Sequence, residues 1–289
     1  MSTLIPVTGQ THLVGIFGDP IAHTRSPAMQ NAAFRARKLP YAYVPFLVHP
    51  ADLAKAVQAI RAYNLVGVNV TVPHKERIVR YLDTLSAEAE LCGAVNTVVN
   101  REGTLFGDNT DGRGFLVSLQ ERGFSPHGRK IVLIGAGGST RAVLVSLIRA
   151  GSAHITIANR TLTKAQALVR AYRELGKTHL DAVPLSALED PTLFKETALV
   201  VNCTSIGLHG EPFPPTAFST TPRQCLFYDL LYRPHLTSFL RQARTARRPI
   251  RDGRRLLLHQ GALAFTLWTG QPAPLEAMTR ALNRALRGA

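Results

Sequence analysis

Gly135-Ala136-Gly137-Gly138-Ser139-Thr140 is the run in this chain best suited to hold a phosphate. It follows the apolar stretch Ile131-Val132-Leu133-Ile134 and precedes a helix-like run, Arg141 to Arg149, and a second apolar stretch, Ile155 to Ala158. Strand, glycine turn, helix and strand form the mononucleotide half of a Rossmann unit. Gly135 permits the tight turn, and Gly137 lets backbone approach a pyrophosphate. The third motif position favours a small residue where helix packs on strand, and here it is Thr140. The helix N-terminus then offers N–H groups and a positive dipole end to the phosphates. At the end of the second strand an NAD site usually carries a carboxylate for the ribose hydroxyls. Asn159-Arg160-Thr161 stands there instead, with Lys164 one turn on. An arginine at that place suits a 2′-phosphate, so the expected cofactor is NADP(H). The plainer reading is a structural βαβ unit with no ligand.

Other residues could do chemistry or serve only the fold. Thr24 and Ser26, two apart before a helix pattern, can cap that helix or hold a carboxylate. Lys75 follows Pro73, which marks the first turn of an expected helix. At the positive end of that helix, with some burial, its pKa would fall toward a useful acid/base value. It could equally be an exposed lysine paired with Glu76. Asp111 lies at a helix start and is an N-cap or a carboxylate aimed into a cleft. Thr204 and Ser205 fall in a polar loop at a strand's carboxyl end, the ligand-facing edge of an open α/β sheet.

The elements that must position these residues read clearly. The 289 residues allow one large or two ordinary domains. Hydrophobic residues at 45% and charged residues at 18% are ordinary for a soluble globular enzyme. No apolar run reaches the roughly eighteen residues of a membrane span, and Met1–Thr11 shows no signal-peptide pattern. Cys92, Cys203 and Cys225 lack C-x-x-C spacing, which argues against a disulfide framework or zinc site and fits a reducing cytoplasm. The ten histidines form no H-x-x-x-H pair and read as surface or polar-core residues. The net charge of +15 could mark a nucleic-acid binder. The densest run, Arg241 to Arg255, has helical spacing and no interleaved aromatic residues, so it reads as a solvated helix face.

Leu13 to Phe17 and Tyr41 to Leu47 read as strands, Ala28 to Arg37 and Ala51 to Tyr63 as helices. The first hundred residues are therefore an α/β domain in their own right. Val66 to Val72 is a further strand, and a turn at Arg101-Glu102-Gly103 makes a hairpin. Arg122–Arg129 links to the nucleotide domain, where Ala198 to Val201 and Leu226 to Leu230 are strands. Leu256 to Trp268 and Pro274 to Arg287 read as two closing helices.

Taken together, the motifs resemble those of the shikimate dehydrogenase family. They are Gly18-Asp19-Pro20-Ile21, His23-Thr24-Arg25-Ser26-Pro27, Asn69-Val70-Thr71-Val72-Pro73-His74-Lys75, Gly93-Ala94-Val95-Asn96-Thr97 and Asn109-Thr110-Asp111-Gly112. The glycine run, Asn159-Arg160-Thr161, Asn202-Cys203-Thr204-Ser205 and Gln260-Gly261-Ala262 complete the series over nearly the whole length. The resemblance implies two α/β domains with the active site in the cleft between them. A substrate domain takes residues 1–112 and 250–289, and a Rossmann NADP-binding domain takes 113–249. It implies that Lys75 and Asp111 are the catalytic pair. Thr24, Ser26, Thr71, Asn96, Tyr232 and Gln260 would bind shikimate or 3-dehydroshikimate. Gly135, Ala136, Gly137, Gly138, Ser139, Asn159, Arg160, Thr161, Lys164, Thr204, Ser205 and Gly253 would contact NADP(H).

Thr24 stands where a serine is usual, Leu208 and Leu256 where methionine is common, and Lys164 where a second arginine is found. The first leaves quinate as a second substrate; the others tune affinity. The expected activity is reversible NADPH-dependent reduction of 3-dehydroshikimate to shikimate in aromatic amino-acid biosynthesis. Alternatives are a catabolic quinate/shikimate dehydrogenase, or a non-catalytic nucleotide-binding relative. No metal, nucleic acid or membrane partner is expected, and a homodimer is the assembly weighed against a single chain.

Overall fold

The computed structural model describes residues 7–287, so the start of the Met1–Thr11 stretch lies outside the described residues. Strand β1 (His12–Gly18) leads through α1 (Ser26–Ala36) to β2 (Tyr41–Leu47), and α2 (Leu53–Ala62) leads to β3 (Gly67–Val70). After a 3-10 turn come β4 (Thr84–Leu85), α3 (Ala87–Cys92), β5 (Thr97–Arg101), β6 (Thr104–Asp108) and α4 (Asp111–Gln120). These strands form one sheet in the order β2-β1-β3-β5-β6-β4. β1 runs parallel to β2 and β3 because helices carry the crossovers. β5 runs antiparallel to both its neighbours. The β5–β6 hairpin turns on Glu102 and Gly103, both at positive φ, as a two-residue turn matched to strand twist demands.

The nucleotide half alternates strand and helix: β7 (Lys130–Ile134), α5 (Gly138–Arg149), β8 (His154–Asn159), α6 (Leu162–Tyr172) and β9 (His179–Pro184). It continues through β10 (Thr197–Asn202), β11 (Leu226–Asp229), α7 (Ser238–Thr245) and β12 (Ile250–Arg251). All six strands are parallel, in the order β12-β11-β10-β7-β8-β9. Counted from β7, that is the 3-2-1-4-5-6 arrangement of dinucleotide-binding sheets, read from the other edge. Phe194, Phe213, Phe218, Phe227 and Phe239 pack under one face, with Phe218 and Phe227 ring centroids 4.6 Å apart. The chain closes with α8 (Arg254–Thr269) and α9 (Leu275–Arg287).

Two compact units result: residues up to Gly114 with those from Leu257 on, and Phe115–Leu256. The chain changes units inside α4 and again inside α8. Residues 250–256, expected with the first unit, fall in the second, because Ile250 pairs with Phe227 and extends that sheet by β12. In the first unit α9 packs on α1, and Phe34 and Phe265 stack at 5.4 Å. Trp268 Nε1 donates to the Val98 carbonyl at 3.0 Å. This closeness leaves no room for a side chain at Gly67, whose Cβ would overlap the Val98 oxygen.

The basic run from Arg241 to Arg255 is not one helical face. Arg241 and Arg244 lie in α7, Arg251 in β12, and Arg254 and Arg255 in α8. Arg251 and Arg255 both bind Glu121, Arg254 binds Asp252, and Arg248 donates to Thr221 Oγ1 at 2.7 Å. Helical spacing alone misses the two-residue strand that interrupts it.

Candidate active site

In the first unit the expected residues gather at one edge of the sheet. Thr24 and Ser26 follow the carboxyl end of β1, Thr71 and Lys75 follow β3, and Asp111 follows β6. Asn96 precedes β5, whose antiparallel course brings its amino end to the same edge. Gln260 comes from α8.

No α-helix begins at Pro73, contrary to the sequence-based expectation. Residues 72–73 and 75–77 form turns, and a 3-10 segment starts only at Ile78. Lys75 therefore owes nothing to a helix dipole. Its place is set by backbone and by its neighbour. His74 is fully buried, its Nε2 lies 2.7 Å from the Val48 carbonyl, and its N–H donates to the Thr71 carbonyl at 2.9 Å. The Lys75 carbonyl in turn accepts from Val95 N–H at 2.8 Å. So anchored, Lys75 Nζ donates to Asp111 Oδ2 at 2.5 Å, with side chains 13% and 9% exposed. An ion pair this sheltered is screened far less than a surface pair.

Asp111 is the first residue of α4 and does not cap it with its carboxylate. Asn109 Oδ1 accepts the Asp111 N–H at 3.1 Å, which fixes the turn leading into α4. Asp111 Oδ1 accepts from Asn96 Nδ2 at 2.8 Å. Asn96 also bonds Thr110 through both ends of its amide, at 2.9 Å to Oγ1 and 2.8 Å from the backbone N–H. Gln260 Oε1 lies 3.4 Å from Asn96 Nδ2, and Gln260 Nε2 donates to the Leu257 carbonyl at 2.8 Å. Gly114 lets α4 and α8 touch there, since a Cβ would stand 2.7 Å from the Gln260 nitrogen. Lys75, Asp111, Asn96 and Gln260 thus form one connected set.

Thr24 and Ser26 do not cap α1. The N-cap position falls to Arg25 without a side-chain bond, and Ser26 is already the first helical residue. Thr24 Oγ1 accepts the Ser26 N–H at 3.3 Å. Thr71 donates its N–H to the Phe17 carbonyl at 2.9 Å, and its methyl fills the space a side chain at Gly18 would need. Asn109 and Thr110 carry more of the local architecture than their place in a motif string suggested. Their signal was the run of three polar residues after a strand.

In the second unit the expected cofactor residues follow the carboxyl ends of β7, β8 and β10, and Gly253 follows β12. Gly135 adopts φ +114°, with Cys203 and Thr204 atoms 3.1–3.4 Å from where a Cβ would be. Gly137 faces open space, as a phosphate cradle requires. Thr140, the departure from the glycine pattern, is buried and useful: its hydroxyl accepts the Gly137 N–H at 3.2 Å. Loss of solvation pushes the nearby Cys203 thiol above its ordinary value. Ala136 and Ser139 lie within the same turn and helix start.

Asn159 Nδ2 donates to the Thr161 carbonyl at 2.8 Å, which fixes the turn into α6. Arg160 and Lys164 are exposed there, and neither side chain is paired with another described residue. Two free cations at the end of β8 fit a 2′-phosphate. Thr204 Oγ1 donates to Asn202 Oδ1 at 2.7 Å, and Ser205 beside it is exposed. Gly253 abuts Leu230, where a Cβ would overlap the carbonyl, and donates its N–H to the Leu231 carbonyl at 2.9 Å. Tyr232, expected with the substrate set, belongs to the second unit, in the loop after β11. Sequence reading passed over Asp229, fully buried at the end of β11. It accepts from Asn202 Nδ2 at 3.0 Å and Thr237 Oγ1 at 2.5 Å.

Comparison with known proteins agrees with this layout. Residues 16–98 match a model of the shikimate dehydrogenase substrate binding domain, 118–207 a shikimate/quinate 5-dehydrogenase model, and 253–282 a shikimate 5'-dehydrogenase C-terminal domain model. A protein of Desulforamulus reducens named shikimate dehydrogenase (NADP(+)) is 43% identical over 281 residues, 96% of this chain and 97% of its own. The chain belongs to the shikimate dehydrogenase family. Among solved structures, shikimate 5-dehydrogenase from Thermus thermophilus in complex with NADP(H) and shikimate superposes with TM-score 0.83. It is 38% identical and covers 95% of this chain and 100% of its own. The family's fold also serves 5-ketofructose reductase of Gluconobacter sp. strain CHM43, at TM-score 0.85 and 35% identity over 96% of this chain and 99% of its own. No helix among the described residues is long and apolar enough to cross a membrane.

Proposed function

We propose that the chain is an NADP-dependent shikimate dehydrogenase, reversibly reducing 3-dehydroshikimate to shikimate on the route to aromatic amino acids. The observation that carries this reading is the sheltered Lys75–Asp111 contact at 2.5 Å, held by Asn96 at the sheet edge where Thr24, Ser26 and Thr71 also gather.

Bound NADPH supplies the hydride. The chain's residues handle the proton and the orientation. As hydride reaches the ring ketone carbon, negative charge develops on its oxygen, and Lys75 donates a proton there. Asp111 keeps the ammonium in place and takes up part of the charge change, so the two act as one unit. In shikimate oxidation the same pair removes the hydroxyl proton. Thr24 and Ser26 hold the substrate carboxylate, while Thr71, Asn96 and Gln260 line the ring; Tyr232 completes the substrate set. Gly135, Ala136, Gly137, Gly138 and Ser139 cradle the pyrophosphate, and Asn159, Arg160, Thr161 and Lys164 hold the adenosine end. Thr204, Ser205 and Gly253 flank the rest of the dinucleotide. The compartment proposed is a reducing cytoplasm, in keeping with three free cysteines. A homodimer is part of the proposal, to be read by sedimentation.

Quinate use is the second reading, favoured by Thr24 in the carboxylate-binding pair. A steady-state panel of shikimate and quinate against NADP and NAD tests both. Shikimate with NADP should have the highest kcat/KM. Equal or better kcat/KM for quinate would assign the chain to the catabolic branch.

A further inference from the structure

Three side chains of the second unit converge on one spot outside the residues described above. His154 opens β8 and His179 opens β9, and the two are register partners on neighbouring parallel strands. Asp181 lies two residues further along β9, so its side chain emerges on the same face as His179. His154 Nε2 stands 2.8 Å and His179 Nε2 3.3 Å from the same oxygen, Asp181 Oδ2. All three ligand-type atoms lie within 4.8 Å of one another.

We infer that His154, His179 and Asp181 form a binding site for a divalent ion of the zinc class. A tetrahedral ion with ligands at about 2.0 Å needs ligand atoms about 3.3 Å apart, and the two distances to Oδ2 fall at or just below that edge. Two imidazoles and one carboxylate are a donor set that suits zinc, nickel or cobalt over magnesium or calcium. An ion would take the place between both rings and the carboxylate oxygen they now approach. A second, independent feature leaves room for a fourth ligand. A cavity of about 540 Å³ adjoins the cluster, lined by His154, Thr156, Asp181, Lys130 and Glu196 among others. It gives water a route to an open coordination position. Two lysines also line that wall, Lys130, which is ion-paired with Glu196, and Lys195.

The position says what the ion would do. His154 and His179 begin their strands, whereas the cofactor stretches follow the carboxyl ends. β9 is the edge strand of its sheet, hydrogen-bonded to β8 alone among the described strands and covered by α6. An ion joining His154 to His179 and Asp181 clips that edge strand to its neighbour, so its role is structural. No sequence spacing reveals it, because the two histidines are brought together only by strand register.

Calorimetric titration of the full chain with zinc chloride, in a buffer that does not chelate, tests the site. One ion per chain should bind with micromolar or tighter affinity, and His179→Gln, His154→Gln and Asp181→Asn should each weaken it about tenfold or more. At a hundredfold excess over Kd, Tm should rise by about 5 °C, and amide exchange across residues 179–184 should slow. Bound cobalt should show the intense visible absorption of a four-coordinate ion. Absence of saturable binding, or unchanged affinity in His179→Gln, would overturn the site. The second outcome would place the metal on other groups. Dinucleotide-dependent turnover is read separately, so loss of the metal site leaves the proposed activity standing.

Discussion

Asn96 donates its amide to Asp111 Oδ1 at 2.8 Å, which leaves Oδ2 to Lys75. The carboxylate therefore cannot rotate without breaking a charge-assisted bond on either side. The ammonium is held at a fixed point by groups that come from three separate stretches of chain.

The pair should act as a unit. Lys75→Ala should lower kcat by about 10²–10⁴, the range for a lost general acid/base, with a much smaller change in KM. Asp111→Asn should act in the same direction, and the double variant should fall far short of additivity. Steady-state kinetics on chains with native circular dichroism read this out. Near-native turnover in Lys75→Ala would remove the proposed role.

Asn96 is a positioning and ring-lining residue together. Asn96→Ala leaves Thr110 N–H and Asp111 Oδ1 without their buried partner, a cost of about 1–3 kcal/mol in stability. It should also lower kcat, because Asp111 gains a free rotor. Urea denaturation and turnover measured side by side separate the two effects. A stability loss with unchanged kcat would leave Asn96 a purely structural residue.

Arg160 should select the cofactor. A charged hydrogen bond is worth about 1.5–3 kcal/mol, roughly ten- to hundredfold in affinity, and Arg160 has no partner among the described residues to break first. Arg160→Ala should weaken NADP by about that factor and leave NAD nearly unchanged; Lys164→Ala should do less. Raising salt should erode NADP binding more than NAD binding, since both cations are exposed. Dissociation constants for the two cofactors decide it. Equal losses would move Arg160's contribution to the shared adenosine.

Asp229 should make stability depend on pH. Burial pushes its carboxyl up to about 7, despite hydrogen bonds from Thr237, the Leu231 N–H and Asn202. In the unfolded chain it titrates near the ordinary value of about 3.9. Between these values the folded chain binds more protons than the unfolded one, so stability falls as pH rises. The contribution is complete below about pH 4 and gone above about pH 7, with an upper size of about 4 kcal/mol. Asp229→Asn, neutral throughout, should abolish this component, gaining on wild type as pH increases. A pH-independent difference between the two in urea would show that Asp229 is ionised in the fold across this range.

The sequence by itself determined the α/β class, the glycine turn and its cofactor, and the order of the motifs. Those signals are local: a run of apolar residues, a glycine where backbone must approach, a basic residue where a carboxylate would stand. It also put Lys75 and Asp111 on a list of reactive types, though reading Pro73 as a helix start misjudged what holds the lysine. Tertiary structure decided the rest. β4 and β12 are two residues each, too short for any periodicity to show, and β12 moves residues 250–256 into the second unit. The carboxylate of Asp111 faces Lys75 only because antiparallel β5 and β6 return the chain to the edge where β3 ended. His154 meets His179 across the whole of α6 and its flanking turns, through the parallel register of β8 and β9. Spacing along a chain reports what one element can do; which elements share an edge depends on long-range pairing that no short window contains.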